Sequence, residues 1–139
     1  MDNKFEQISL KKGFMKHNGG IMFKNISESE YKYKTIITEN HLNAAGITHG
    51  GFLSAVIDAG ADTAAHRAAE NSPCVTISLE LKFISAVKLG QELIGTTKIQ
   101  KKTKSMVFLT CELKASDKIV ATASGVWKIL KLSGAGPGG

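Results

Sequence analysis

At 139 residues, with 42% hydrophobic and 22% charged residues, the chain has the size and balance of one globular domain and too little length for two. Its net charge of +6 invites a nucleic-acid partner, but aromatics make up only 6% and none interleaves with the lysine group at Lys98, Lys101, Lys102 and Lys104, so no base-stacking surface is expected. No run of about eighteen apolar residues exists to span a membrane, and the N-terminal MDNKFEQISLKKGF lacks the apolar centre of a signal peptide, so a cytoplasmic protein without membrane insertion is expected.

Phe5, Ile8, Leu10 and Phe14 form a loose apolar stripe among lysines, which predicts an amphipathic helix over residues 2 to 16. His17-Asn18-Gly19-Gly20 ends it, because paired glycines let the backbone turn where other residues do not. Ile21 to Ile26 and Tyr31 to Thr38 read as two strands joined by Ser27-Glu28-Ser29-Glu30, a hairpin.

The stretch HLNAAGITHGGFLSAVIDAGADTAAHRAAE, His41 to Glu70, organises the rest. Leu53, Val56, Ile57, Gly60, Ala61, Ala64, Ala65 and Ala68 recur at helical spacing and define the buried face of a helix of about twenty residues. Ser54, Asp58, Asp62 and His66 line up on one side of it. Asn71-Ser72-Pro73 stops the helix. Val75, Ile77, Leu79, Leu81 and Phe83 then alternate with polar residues, the repeat of a long strand with one buried face. Leu93 to Gln100, Met106 to Ala115 and Ile119 to Leu130 supply three more strands, separated by turn formers at Leu89-Gly90-Gln91, Lys101 to Ser105 and Ser116-Asp117-Lys118.

The expected fold is α+β: an antiparallel sheet of about six strands, the last four in a meander, wrapped around one long central helix. Residues 1 to 131 form one domain, and the glycine-rich residues 132 to 139 a flexible tail. Cys74 and Cys111 read as reduced packing residues. The four histidines have no metal-ligand spacing, and no phosphate loop, dinucleotide fingerprint or nucleophilic serine elbow is present, so no metal or cofactor is implied.

Asn43, then His49-Gly50-Gly51, then Asp58, followed by a Val-Thr-Ile strand and a Lys-Leu-Gly turn, resemble the hot-dog fold acyl-CoA thioesterases, and within them the PaaI-like branch. The resemblance implies hydrolysis of an acyl-CoA thioester to a carboxylic acid and free coenzyme A. By the family's pattern the Gly50 N–H polarises the thioester carbonyl, Asp58 is nucleophile or general base, and Asn43 and Thr76 position substrate and water. His49, Gly51, Lys101, Lys102 and Lys104 are the candidate substrate contacts, the lysines for coenzyme A phosphates. A non-catalytic acyl-CoA-binding protein is the alternative.

Physical chemistry supports these roles without deciding them. A helix N-terminus offers unpaired N–H groups and a favourable dipole where negative charge develops on a carbonyl oxygen; glycines there equally serve close helix packing. Val56, Ile57, Ala59 and Ala61 around Asp58 argue for a partly desolvated carboxylate, although a structural acid on a helix flank is the commoner case. Asn43 in a turn and Thr76 in a strand likewise have ordinary structural readings, and His49 either contacts substrate or is a buried structural histidine. Asp62 and His66 stand at the spacing of a helical pair and are read as structural. Gly50 and Asp58 lie eight residues apart on one helix, a rise of about 12 Å, so both cannot address one carbonyl carbon. Two copies with antiparallel helices would bring each Gly50 to the other chain's Asp58, which predicts a homodimer with two equivalent sites. The resemblance implies the same dimer, commonly paired into a tetramer.

Overall fold

The computed structural model describes residues 4–131. Along the chain run β1 (Glu6–Ile8), a single helical turn α1 (Phe14–His17), β2 (Ile21–Asn25), β3 (Glu30–Ile36), the long helix α2 (Gly50–Ala68), β4 (Cys74–Phe83), β5 (Glu92–Lys102), β6 (Met106–Ala115) and β7 (Lys118–Ile129). The strands form one antiparallel, seven-stranded sheet in the order β1-β2-β3-β5-β6-β7-β4, and α2 packs against strands from β2 to β7. This is the expected helix wrapped in a sheet, with seven strands in place of about six.

The N-terminal helix over residues 2 to 16 does not form. Ser9 and Gly13 stand at φ 60° and 92°, left-handed values that interrupt a right-handed helix. Residues 6–8 instead pair with 21–23 as β1. The apolar stripe that suggested a helix is divided among different tasks: the Phe5 ring lies beneath the ammonium groups of Lys24 and Lys34, at 4.8 and 4.4 Å, while Phe14 is exposed. Residues 2 and 3 of that prediction, and the tail 132–139, lie outside the described residues.

Nor do the last four strands run as a meander. β4 pairs with β7 at the far edge of the sheet, and β5 enters beside β3. A two-residue period is the same whichever strand lies alongside, so it carries no information about order. As the last strand of the sheet, β4 is also less buried than its alternation suggests. Leu79 and Leu81 are half-buried, but Ile77 and Phe83 are 52% and 56% exposed, and a bulge between Thr76 and Ser78 breaks the register.

Phe52, Leu53, Val56, Ile57, Gly60, Ala61, Ala64 and Ala65 form the buried face of α2, while Ala68, expected on it, is only half-buried in the last turn. Small residues along it let the helix approach the sheet closely. The fully buried Tyr33 ring lies between the two layers: a Cβ on Gly60 would fall 2.4 Å from its Cζ, and one on Gly95 of β5 would fall 2.1 Å from its Cε2. The Tyr33 hydroxyl is 3.0 Å from Thr97 Oγ1, itself 3.1 Å from Cys111 Sγ, so the buried polar atoms are satisfied. Burial holds the phenol above its usual range and keeps it a hydrogen-bond donor. Cys74 and Cys111 are free thiols.

Candidate active site

Two clusters stand on α2, one at its first turn and one near its middle. The loop leading into the helix is fixed from several sides. Asn43 Oδ1 accepts the N–H groups of Ala45 at 2.9 Å and Ile47 at 3.3 Å, and Gly46 supplies the left-handed φ of 80° that the turn requires. The Asn43 side-chain amide therefore keeps its Nδ2 donors without a partner among the described residues. Thr48 donates both its N–H (2.9 Å) and its hydroxyl (2.8 Å) to the Val87 carbonyl. Beneath lies His41, 3% exposed and stacked on Phe52; its Nδ1 accepts from Thr38 N–H and its Nε2 donates to the Asn18 carbonyl at 2.9 Å.

His49 caps the helix: its Nδ1 accepts the Gly51 N–H at 2.8 Å. An Nδ1 that accepts leaves the ring proton on Nε2, and the His49 side chain is exposed. A Cβ on Gly51 would sit 2.9 Å from that nitrogen, so the second glycine of His-Gly-Gly makes room for the cap. The Phe52 and Leu53 N–H groups go to the His49 carbonyl. With Gly51 engaged as well, the Gly50 N–H is left without an acceptor among the described residues, at the positive end of the helix dipole. The exposed Phe83 ring flanks it, 3.6 Å from where a Gly50 Cβ would be.

Two turns on, Asp58 and Asp62 meet the edge strand. Thr76 Oγ1 lies 3.2 Å from Asp58 Oδ1 and 3.2 Å from Asp62 Oδ1. The buried Trp127 donates its indole N–H to Asp62 Oδ1 as well. Burial first, and the neighbouring Asp58 charge second, raise the Asp62 pKa from 3.8 to about 6, while the Trp127 and Thr76 hydrogen bonds pull the other way. Asp62 does not pair with His66, whose Nδ1 donates to the Ser72 carbonyl at 2.8 Å. A groove of about 360 Å³ opens beside both carboxylates, closed on its far side by Ser9, Lys12, Phe14 and Met15.

The raised Asp62 has a consequence for stability. Between about pH 4 and pH 6 the folded chain holds a proton that the unfolded chain has lost, so this group's contribution falls across that window and stays low above it. The melting temperature of Asp62→Asn relative to the original is therefore expected to rise by several degrees from pH 4 to pH 7, as followed by circular dichroism.

An open N–H at a helix N-terminus and a carboxylate two turns along the same helix are groups that acyl transfer can use. The model of the Thioesterase superfamily matches residues 45–122, which include Gly50, Asp58, Asp62 and Thr76. The chain belongs to the thioesterase superfamily. Among curated relatives it is similar to the Pseudomonas aeruginosa protein named "Putative esterase PA0474", 35% identical over 94 residues, 67% of this chain and 70% of that one. Human acyl-coenzyme A thioesterase 13 is 29% identical over 87 residues, 61% of this chain and 62% of the human protein, so the aligned stretch spans less than two thirds of its length. Among solved structures, zebrafish thioesterase superfamily member 2 superposes with a TM-score of 0.79 at 19% identity, over 86% of this chain and 89% of that one. The E. coli PaaI protein from the phenylacetic acid degradation operon does so with a TM-score of 0.75 at 20% identity, over 84% and 83%. Both share the hot-dog fold.

Placed on this thioesterase-superfamily fold, the remaining candidates separate. Lys101, Lys102 and Lys104 lie where β5 turns into β6, and Lys102 Nζ is 3.9 Å from Glu70 Oε1, just past the C-terminal end of α2. They sit at the opposite end of the helix from Gly50 of their own chain. Among the described residues no three His, Cys, Asp or Glu side chains converge as metal ligands, and no helix is long and apolar enough to cross a membrane. A second groove, of about 660 Å³, lies among Lys32, Lys98, Glu112 and Lys114 on the sheet and contains none of the candidate residues. What the sequence reading missed is Asp62 as a partner of Thr76. The one signal was the chain's single Trp, whose N–H requires an acceptor wherever the ring is buried.

Proposed function

We propose that the protein is an acyl-CoA thioesterase whose two active sites are each assembled from two chains. The Gly50 N–H takes the thioester oxygen, and Asp58 of the partner subunit acts on the carbonyl carbon, either directly or by taking a proton from water. The carbon–sulfur bond breaks, the coenzyme A sulfur leaves as thiolate and gains a proton, and the oxygen of water ends in the carboxylic acid. Asn43 Nδ2 and the Thr76 hydroxyl position carbonyl and acid, with the exposed His49 Nε2–H at the rim.

The observation that carries this reading is the arrangement of β4. One end sets Thr76 against Asp58; the other sets Phe83 against Gly50. It has no strand on its outer side among the described residues and exposes Ile77 and Phe83, with Ile84 exposed just after it, a combination that invites strand pairing. Antiparallel pairing with the same strand of a second copy, centred near Leu79 and Glu80, brings each Thr76 and Asp58 beside the partner's Phe83 and Gly50. The same two-fold carries Lys101, Lys102 and Lys104 toward the partner's helix N-terminus, where coenzyme A phosphates are expected. The human relative's name, an acyl-coenzyme A thioesterase, supports the substrate class.

The test is release of free thiol from short, long and aromatic acyl-CoA esters. Turnover of any member by a protein that sediments as a dimer or tetramer is the expected result. Binding without turnover across the panel would favour an acyl-CoA-binding protein instead. For the phosphate contacts, Lys101→Ala combined with Lys104→Ala is expected to raise KM for an acyl-CoA about tenfold, from the loss of roughly 1.4 kcal/mol. The same acyl group on N-acetylcysteamine, which lacks those phosphates, is expected to be hydrolysed unchanged.

A further inference from the structure

Asp62 has no part in the reaction as drawn above, yet it is tied into the site. The Thr76 hydroxyl carries one hydrogen and stands at equal distance, 3.2 Å, from Asp58 Oδ1 and Asp62 Oδ1, so it can satisfy only one carboxylate at a time. The indole N–H of Trp127, a side chain with no other polar atom, ends on Asp62 and fixes its position. The groups around the pair leave its charge unbalanced. From β4 come Cys74 and Thr76, from β6 the neutral thiol of Cys111, and from β7 Trp127; from β5, Lys102 lies beside Glu70. The N-terminal segment contributes the exposed Lys12 and neutral Ser9, Phe14 and Met15. On α2 itself His66 turns away to the Ser72 carbonyl. None of the ion pairs among the described residues reaches either carboxylate.

We propose that Asp62 is a positioning residue for the thioesterase reaction: anchored by Trp127 and sharing the Thr76 hydroxyl, it holds a second negative charge against Asp58 and so raises the reactivity of Asp58. The inference rests on the thioesterase reading of Asp58. It applies to either chemical route, because Asp58 loses negative charge both when it takes a proton from water and when its oxygen bonds to the carbonyl carbon. The repulsion present before reaction is relieved in the transition state, which is the condition for a contribution to rate. Burial, and then the Asp58 charge beside it, raise Asp62 to about 6.

The test compares pH profiles of kcat and KM for the original protein, Asp62→Asn and Trp127→Phe. With a limb near 6, the original keeps about a fifth of its pH 8 activity at pH 5, the ionised fraction plus the residual activity of the neutral form. Asp62→Asn is expected to keep most of its own, with kcat at pH 8 about tenfold lower and KM unchanged. Trp127→Phe, which removes a donor to the ionised form, is expected to move the limb upward. A merely structural Asp62 would not shift the limb in opposite directions in the two variants. An Asp62→Asn profile that superimposes on the original overturns the proposal; where that variant does not fold, an unmoved limb in Trp127→Phe overturns it equally. Absence of turnover in the original protein would be a failure of the thioesterase reading, and a carboxyl-carbon NMR titration separates the two. An upper step near 6 that vanishes in Asp62→Asn supports the coupling, and one that persists overturns it.

Discussion

Asp58→Asn is expected to lower kcat for acyl-CoA hydrolysis by about a thousandfold or more, with KM changed by no more than a few-fold. Asn has the shape of Asp and still offers an oxygen to Thr76, so the hydrogen bond that ties α2 to β4 survives. What is lost is the negative charge, which the reaction requires whether Asp58 attacks the carbon or activates water. The substitution also removes one of two adjacent carboxylates, so the variant is expected to melt no lower than the original above pH 6. Thiol release and a thermal melt on the same preparation separate lost chemistry from lost fold. A kcat within tenfold of the original would remove Asp58 from the mechanism.

The second large effect is on stability. Gly95→Ala is expected to destabilise the domain by about 3 kcal/mol or more, beyond the usual cost of an added methyl in a packed core. The new Cβ would sit 2.1 Å from the Tyr33 ring, and the ring cannot retreat, because Gly60 of α2 closes its other side. Gly60→Ala is the sharper comparison, since two effects oppose each other. Alanine in a helix interior gains about 1 kcal/mol over glycine, whereas a Cβ 2.4 Å from Tyr33 Cζ forces ring, helix or sheet to move. The clash outweighs the propensity, and a net loss of about 2 kcal/mol is expected. Relief by moving α2 off the sheet would also carry Asp58 away from Thr76, so activity is expected to fall further than stability. Urea denaturation of both variants checks the magnitudes; a Gly60→Ala protein more stable than the original would mean that the ring has room.

Local periodicity made much of this molecule legible in advance. Leu53, Val56, Ile57, Gly60, Ala61, Ala64 and Ala65 form the buried face of α2 that their spacing predicts, and the helix begins at Gly50, immediately after the His49 cap. Strands β2, β3, β5, β6 and β7 lie where alternation and turn residues put them. The N-terminal helix fails because left-handed backbone at Ser9, a residue without a glycine's sequence signature, is decided by pairing of β1 with β2 and not by local propensity. The predicted meander fails because alternation records which side of a strand is covered and not which strand lies beside it. The exposed apolar residues of β4 belong to the same limit, as a single chain's pattern cannot distinguish a face covered by its own core from an edge left open.

The candidate site divides in the same way. Helix geometry and family pattern point to Gly50 and Asp58, and family pattern to Thr76, whose hydroxyl lies 3.2 Å from the Asp58 carboxylate. Asp62 reads as half of a helical pair with His66, because i and i+4 spacing is visible in a sequence while a Trp reaching in from the last strand, 65 residues away, is not.

Subunit complementation tests the central claim, a site shared between two chains, most directly. Asn43→Ala and Asp58→Asn, each expected to be inactive as its own oligomer, are mixed, unfolded and refolded together. In a mixed dimer one site carries both substitutions and the other carries neither. With statistical reassortment half the dimers are mixed, so the account predicts recovery of about a quarter of the original acyl-CoA hydrolysis per subunit. If each site belonged to one chain alone, every site in the mixture would carry one substitution, and activity no higher than that of the separate variants would contradict the account.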